Sequence, residues 1–133
     1  MIERKKKILL IDDDEIVNIM HQRVIKKSEV PCEVLVALNG SAAIQLLDEH
    51  VAQNISLPDL IFLDINMPRM GGYEFLEEYT ARSLGGVTKK RIIILSSSLS
   101  PADQERAISN PNVYSFSDKT MSPEDFLRLV NMF

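Results

Sequence analysis

Ile8-Leu9-Leu10-Ile11-Asp12-Asp13-Asp14 is the stretch from which the fold is read. Four apolar residues in unbroken succession are too few for a helix. An unbroken run, unlike an alternating one, suits a strand buried on both faces. It stops abruptly at three carboxylates. The same figure recurs along the chain: Val34–Leu38, Leu60–Leu63 and Ile92–Leu95 are further apolar runs, and Val113–Phe116 is a weaker, alternating fifth. Between the runs lie helical periodicities. Ile16, Val17, Met20, Val24 and Ile25 share one side of a helix, as do Ala43, Ile44, Leu47 and Val51, and again Phe75, Leu76 and Tyr79. Ser100-Pro101-Ala102-Asp103 supplies a capping hydroxyl, a first-turn proline and an early carboxylate. Ser122-Pro123-Glu124-Asp125 repeats the device ahead of Phe126, Leu127, Val130 and Phe133. Gly85-Gly86 and Asn110-Pro111 read as helix stops. Five strands alternating with five helices predict an α/β, doubly wound (βα)5 three-layer sandwich: a parallel sheet with helices on both faces, joined by right-handed crossovers.

Composition agrees with one compact domain. The chain has 133 residues, 45% apolar and 26% charged, which is ordinary for a globular protein and unlike a disordered one. Nineteen acidic against fifteen basic residues leave a formal charge of −4, which gives no support to nucleic-acid or anionic-membrane binding. The single Cys32 excludes an internal disulfide framework and a thiolate zinc cluster, and a reducing, cytoplasmic compartment is expected. The basic Met1–Lys7 is followed by an apolar run too short for a signal peptide or a membrane span.

In parallel α/β sheets the working site lies at the carboxyl ends of the strands. Here those ends carry Asp12-Asp13-Asp14, Asp64, Ser96-Ser97-Ser98 and Asp118-Lys119. Asp12, Asp13 and Asp64 crowded on one sheet edge repel one another unless a cation joins them. Three carboxylates and one ammonium sum to −2, so a divalent cation brings the site to neutrality. Hard oxygen ligands suit Mg²⁺ or the similar Mn²⁺. A carboxylate can also attack a phosphoryl group and form an acyl phosphate. The metal, Lys119 and the Ser96 hydroxyl could then neutralise the phosphoryl oxygens. Asp64, ending the central apolar strand, is the best-placed nucleophile.

The set Asp12-Asp13, Asp64, Ser96 and Lys119, with Leu9-Leu10-Ile11 before the acidic pair and Asn66-Met67-Pro68 after the third strand, resembles the receiver domain of two-component response regulators. The resemblance runs in order over essentially the whole chain. Each motif alone is common; together on matched strand ends they are specific. The resemblance implies a flavodoxin-like sheet of order 2-1-3-4-5. It implies Asp64 as phosphoacceptor. Mg²⁺ would be held by Asp13, Asp64 and the Asn66 backbone carbonyl, with Asp12 acting through water. Lys119 would bind a phosphoryl oxygen, Ser96 would be the switch hydroxyl, and Phe116, three residues before Lys119, falls where the family has a switch aromatic. The domain would catalyse its own phosphorylation and dephosphorylation without being a conventional enzyme. The donor would be a sensor histidine kinase or a His-containing phosphotransfer protein, and the output a downstream protein target. The face of the fourth and fifth helices and the fifth strand usually carries output contacts in that family. The chain ends at Phe133 directly after the last helix, so the expectation is a stand-alone receiver over residues 1–133, its core starting about residue 7, with no output domain.

Some positions depart from the family pattern. Thr120 follows Lys119 where Pro is common, and a cis peptide there would cost about 2.5–4 kcal/mol. Gly71-Gly72 replaces an acidic-Gly pair, and Ser98 lies where members tune phosphoryl lifetime. Other readings stay open. A degenerate receiver would bind partners without phosphorylation. Asp12-x-Asp14 superficially resembles the nucleophile motif of haloacid-dehalogenase-like phosphohydrolases, and which aspartate is phosphorylated separates that reading from the first. A flavodoxin-like electron carrier would need a phosphate loop, and none is apparent. The single residues have bland readings too. Asp12–Asp14 could be a helix cap cluster, Asp64 a turn residue, Ser96 a strand-end hydroxyl bonded to backbone, and Lys119 a solvated surface residue. Cys32 reads as a small filler, His21 and His50 as helix-surface residues, Lys5–Lys7 as a solvated strand start, and Phe116 as either core or switch.

Overall fold

The computed structural model describes residues 5–65, 67, 71–82, 90–96 and 100–133. The elements are β1 (Lys6–Ile11), α1 (Glu15–Lys27), β2 (Cys32–Ala37), α2 (Gly40–Ala52), β3 (Leu60–Asp64), α3 (Gly72–Ala81), β4 (Ile92–Leu95), α4 (Pro101–Ile108), β5 (Val113–Ser117) and α5 (Pro123–Val130). The sheet runs β2-β1-β3-β4-β5 with every pairing parallel.

Why the strands read as unbroken apolar runs is visible in the two cores. Leu9, Ile11, Ile61, Leu63, Ile92 and Ile94 pack on one face against Ala43, Ile44 and Leu47 of α2, Phe75, Leu76 and Tyr79 of α3, and Ala107 of α4. The intervening Ile8, Leu10, Leu60, Phe62, Ile93 and Leu95 pack on the other against Ile25 of α1 and Phe126 and Val130 of α5. Alternate side chains go to opposite faces, so a strand with helices on both sides has no position for a polar residue. Each fully buried Leu, Ile or Phe contributes about 1.5–3 kcal/mol. β5 lies at the sheet edge, and its Tyr114 and Phe116 are exposed, which explains its weaker, alternating signal.

The capping signals hold. Asp14 caps α1, its Oδ1 accepting from the Ile16 and Val17 amides at 2.9 and 3.4 Å. The Ser100 hydroxyl accepts from the Asp103 amide at 3.1 Å. Ser122 and Asp125 form a reciprocal capping box on α5, both bonds 3.1 Å. α4 stops ahead of Asn110-Pro111, while Gly85-Gly86, Ser97 and Ser98 lie outside the described residues.

The helix faces are corrected in places. The residues of α1 that enter the core are Asn18, His21 and Ile25, flanked by half-buried Val17 and Val24; Ile16 and Met20 are 69% and 52% exposed. Val51 and Leu127 also face outward. α1 is rotated because two of its polar side chains find backbone partners beneath the sheet edge, as described below. Lys7 is not solvated: it is buried in β1, its ammonium donating to the Ser56 carbonyl at 2.7 Å. Cys32 is partly buried at the start of β2, and burial pushes its thiol pKa up. No helix among the described residues is long and apolar enough to cross a membrane.

Candidate functional site

Strand register builds the site. Ile11 pairs with Leu63, so Asp12, the next residue after β1, lies beside Asp64 at the end of β3. Asp64 in turn pairs with Leu95, which puts Ser96 just past the end of β4. The Ser96 amide donates to the Ser117 carbonyl at 3.1 Å, tying the ends of β4 and β5 together. Lys119 follows β5 by two residues and reaches back over the edge.

Its ammonium lies 3.2 Å from Asp12 Oδ2 and 3.2 Å from Asp64 Oδ2. Both carboxylates are buried, at 4% and 3% exposure. Buried charge requires such pairing, because an isolated carboxylate there would lose its hydration without return. Asp12 is further held by the Asp14 amide, 2.9 Å from its Oδ1. Partial burial alone would lower the Lys119 pKa, but the Asp64 and Asp12 carboxylates outweigh it and hold the ammonium above its ordinary value. Asp13 is exposed and has no hydrogen bond or ion pair with any described residue.

One oxygen each from Asp12, Asp13 and Asp64 gather within 4.8 Å of one another. Three hard carboxylate donors around one point, with a single ammonium to offset them, fit a small divalent cation. Asn66 lies outside the described residues, so the carbonyl expected from it is not described. Asp14 is taken up in capping α1 and Asp12 is bonded by the Asp14 amide and Lys119, which leaves Asp12-x-Asp14 without an uncommitted carboxylate.

The Lys119 turn is made without a cis bond: no peptide among the described residues is cis. Asp118 Oδ1 accepts from both the amide and the hydroxyl of Thr120, each at 2.9 Å. The backbone bond first, then the side-chain bond, holds the Asp118 carboxyl below its usual range. Thr120 thus closes by side-chain chemistry a turn for which proline was expected. Phe116 is 37% exposed on β5, paired with Ile94, so it is not a core residue.

Two residues of the site are not evident from sequence. Asn18 Nδ2 donates to the Asp12 carbonyl at 2.9 Å, and His21 Nε2 lies 2.9 Å from the Lys119 carbonyl. Both side chains are buried, and with Asp12 and Asp64 they line one pocket beneath the carboxylates. His21, expected on the helix surface, is therefore a residue of this layer. The available signal was two polar residues one helical turn apart within an otherwise apolar stretch; the louder Ile16–Met20 periodicity hid it. His50 Nδ1 is satisfied within its own helix by the Leu46 carbonyl at 2.9 Å.

The family profile of the response regulator receiver domain matches residues 8–131. The nitrate/nitrite response regulator protein NarL of Escherichia coli (strain K12) is 34% identical over 124 residues, 93% of this chain and 52% of that protein. The chain thus spans about half the length of that relative. A solved two-component response regulator from Cytophaga hutchinsonii superimposes with a TM-score of 0.85 at 32% identity, covering 97% of each chain. The Vibrio cholerae chemotaxis protein CheY4, 24% identical with a TM-score of 0.77 over 97% of this chain and 98% of its own, shares the fold.

Proposed function

Because this chain belongs to the response regulator receiver domain family of two-component signalling, we propose that it is a phosphorylation-controlled switch with Asp64 as its phosphoacceptor. The observation that carries the reading is the position of the Lys119 ammonium, 3.2 Å from an oxygen of both buried aspartates. A cation held there can follow a negative charge from the carboxylate to a phosphoryl oxygen. Asp64 would attack phosphorus as the donor's bond to phosphorus breaks, leaving an acyl phosphate on the side chain. Hydrolysis of that acyl phosphate at the same site would return the domain to its resting state, so the domain catalyses its own turnover.

Asp13 and Asp64 would hold Mg²⁺ or Mn²⁺ together with the Asn66 carbonyl, and Asp12 would act through water. The open Asp13 and the fully engaged Asp12 support that division. Bound there, the metal would neutralise charge on the phosphoryl oxygens. Ser96 would bond a phosphoryl oxygen, and the Ser96–Ser117 link would carry its movement to β5 and Phe116. A sensor histidine kinase or His-containing phosphotransfer protein would be the donor, acting in the cytoplasm, and a downstream protein the target. The seated Lys119 and the intact acidic trio speak against a constitutive, degenerate receiver. The engagement of Asp14 speaks against an Asp12-x-Asp14 phosphohydrolase.

The test is a beryllofluoride titration in Mg²⁺ followed by backbone NMR, on wild type and Asp64→Asn. Saturable shifts around Asp64, Ser96, Phe116 and Lys119 that vanish in the variant are expected. Equal shifts in the variant would remove Asp64 from the role, and a wild type that binds Mg²⁺ without shifting would restore the degenerate reading.

A further inference from the structure

The polar layer under the carboxylates has a geometry of its own. α1 presents Asn18 and His21 one turn apart on its buried side. Asn18 holds the main chain of the loop that carries Asp12. His21 holds the main chain at Lys119, on a loop 98 residues further along the chain. One rigid helix therefore grips both loops from below, while the Lys119 side chain joins them from above. We propose that His21 is a positioning residue for Lys119, donating from Nε2 to the Lys119 carbonyl and so holding the ammonium over Asp12 and Asp64.

A carbonyl oxygen can only accept, so the proton of this bond sits on Nε2. That requirement selects one neutral tautomer, and the imidazolium would serve equally. The bond is to backbone, so it fixes where the Lys119 side chain starts, not where it ends. The other end of the turn is fixed by Asp118, which accepts twice from Thr120. With both flanks tied, the ammonium is delivered to its two acceptors by a preorganised loop. Lys side chains are long and rotamer-rich, so freeing the root spreads the ammonium over many positions. The ammonium also competes with any cation for the same Asp12 and Asp64 oxygens. Loosening it should weaken its action on a phosphoryl group while easing entry of Mg²⁺. A residue that merely stabilised the fold would not move these two readouts in opposite directions.

The phosphoryl part of this inference rests on the function proposed above, and the metal and tautomer parts do not. The experiment compares wild type, His21→Leu and His21→Gln in the full chain. Gln places a donor at about the reach of Nε2; Leu fills space without one. Phosphoryl uptake from acetyl phosphate should fall about tenfold or more in His21→Leu, as expected when a reacting group is misplaced by part of an ångström. It should recover in His21→Gln to within about twofold of wild type. Mg²⁺ affinity, followed by NMR, should rise in His21→Leu and return in His21→Gln. In metal-free wild type, long-range ¹⁵N–¹H spectra of His21 should show a protonated Nε2. A wild type that takes up no phosphoryl group would sink the phosphoacceptor reading alone. A bare Nε2 would overturn the positioning role even if His21→Leu failed to fold. Folded variants that matched wild type in uptake and Mg²⁺ affinity, or a Gln variant as impaired as Leu, would overturn it as well.

Discussion

Lys119 is where charge, burial and loop geometry meet in one side chain. Its ammonium is the cation within reach of Asp12 and Asp64 among the described residues. Removing it as Lys119→Met should cost the metal-free protein about 1–3 kcal/mol, less than a fully buried pair because the lysine is partly solvated. The pH dependence has a definite sign. Its folded pKa is raised, so its contribution to stability is complete below the ordinary lysine value of about 10.4 and is lost as pH rises through the folded value. Urea denaturation in EDTA should therefore show a constant gap between wild type and Lys119→Met up to about pH 10, closing above it. A gap still open well above the folded pKa would mean that the ammonium is not the source of the difference. At this scale Asp12, Asp13, Asp64, Ser96 and Lys119 were legible because each ends or follows a strand, and parallel topology sends all those ends to one edge. Asn18 and His21 were not, because their partners are backbone carbonyls, one of them 98 residues away, which a side-chain pattern on one helix does not identify.

The elements show the same division between local and long-range causes. Strand positions read from sequence agree with those observed to within two residues; in β1, β3 and β4 burial on both faces is written into every residue of the apolar run. The core-facing side of α1 did not follow apolar periodicity, because tertiary hydrogen bonds chose it. The start of α3 is a third case. The departure from the acidic-Gly pair is at Gly71; at the retained glycine, a Cβ on Gly72 would lie 2.5 Å from Ile65 Cα, 2.7 Å from Ile65 Cδ1 and 3.0 Å from the Asp64 carbonyl oxygen. Backbone cannot swing aside as a side chain can, so α3 can dock this closely behind β3 only with glycine there. Gly72→Ala should destabilise by about 1–3 kcal/mol through overpacking. Gly71→Ala, which meets only the Met67 carbonyl oxygen at 3.3 Å and Ile65 O at 3.9 Å, should cost markedly less. Equilibrium denaturation of both would decide, and equal losses would put the cause elsewhere than the Ile65 contact. Next along α3, Tyr73 carries the Arg106 guanidinium 3.6 Å above its ring and approaches Asp103 Oδ1 with its hydroxyl at 3.3 Å, joining the α3 start to α4.

Across the whole molecule, the carboxyl edge and the β5 edge are connected by short steps. Asp64 pairs with Leu95, Ser96 bonds to Ser117, and Phe116 stands one residue before Ser117 on the exposed edge strand. Ile108 of α4, Tyr114 of β5, Leu127 of α5 and Met132 just past α5 are also exposed apolar residues. A ligand at Asp64 shifts this surface only if it binds two arrangements of Phe116 unequally. A half-exposed ring at 37% has such arrangements open to it, where a fully packed one would not. If Phe116 is the coupling element, Phe116→Ala should still bind beryllofluoride with affinity within a few-fold of wild type, since an aromatic ring offers no charged or hydrogen-bonding group to the ligand. The NMR shifts that beryllofluoride causes at Asp64 and Ser96 should persist, while those on α4, β5 and α5 should collapse. A variant in which the distant shifts survive would show that the β4–β5 backbone carries the signal without the aromatic ring. A variant in which both sets vanish would show that Phe116 supports the site itself, and the two edges would then be one cooperative unit.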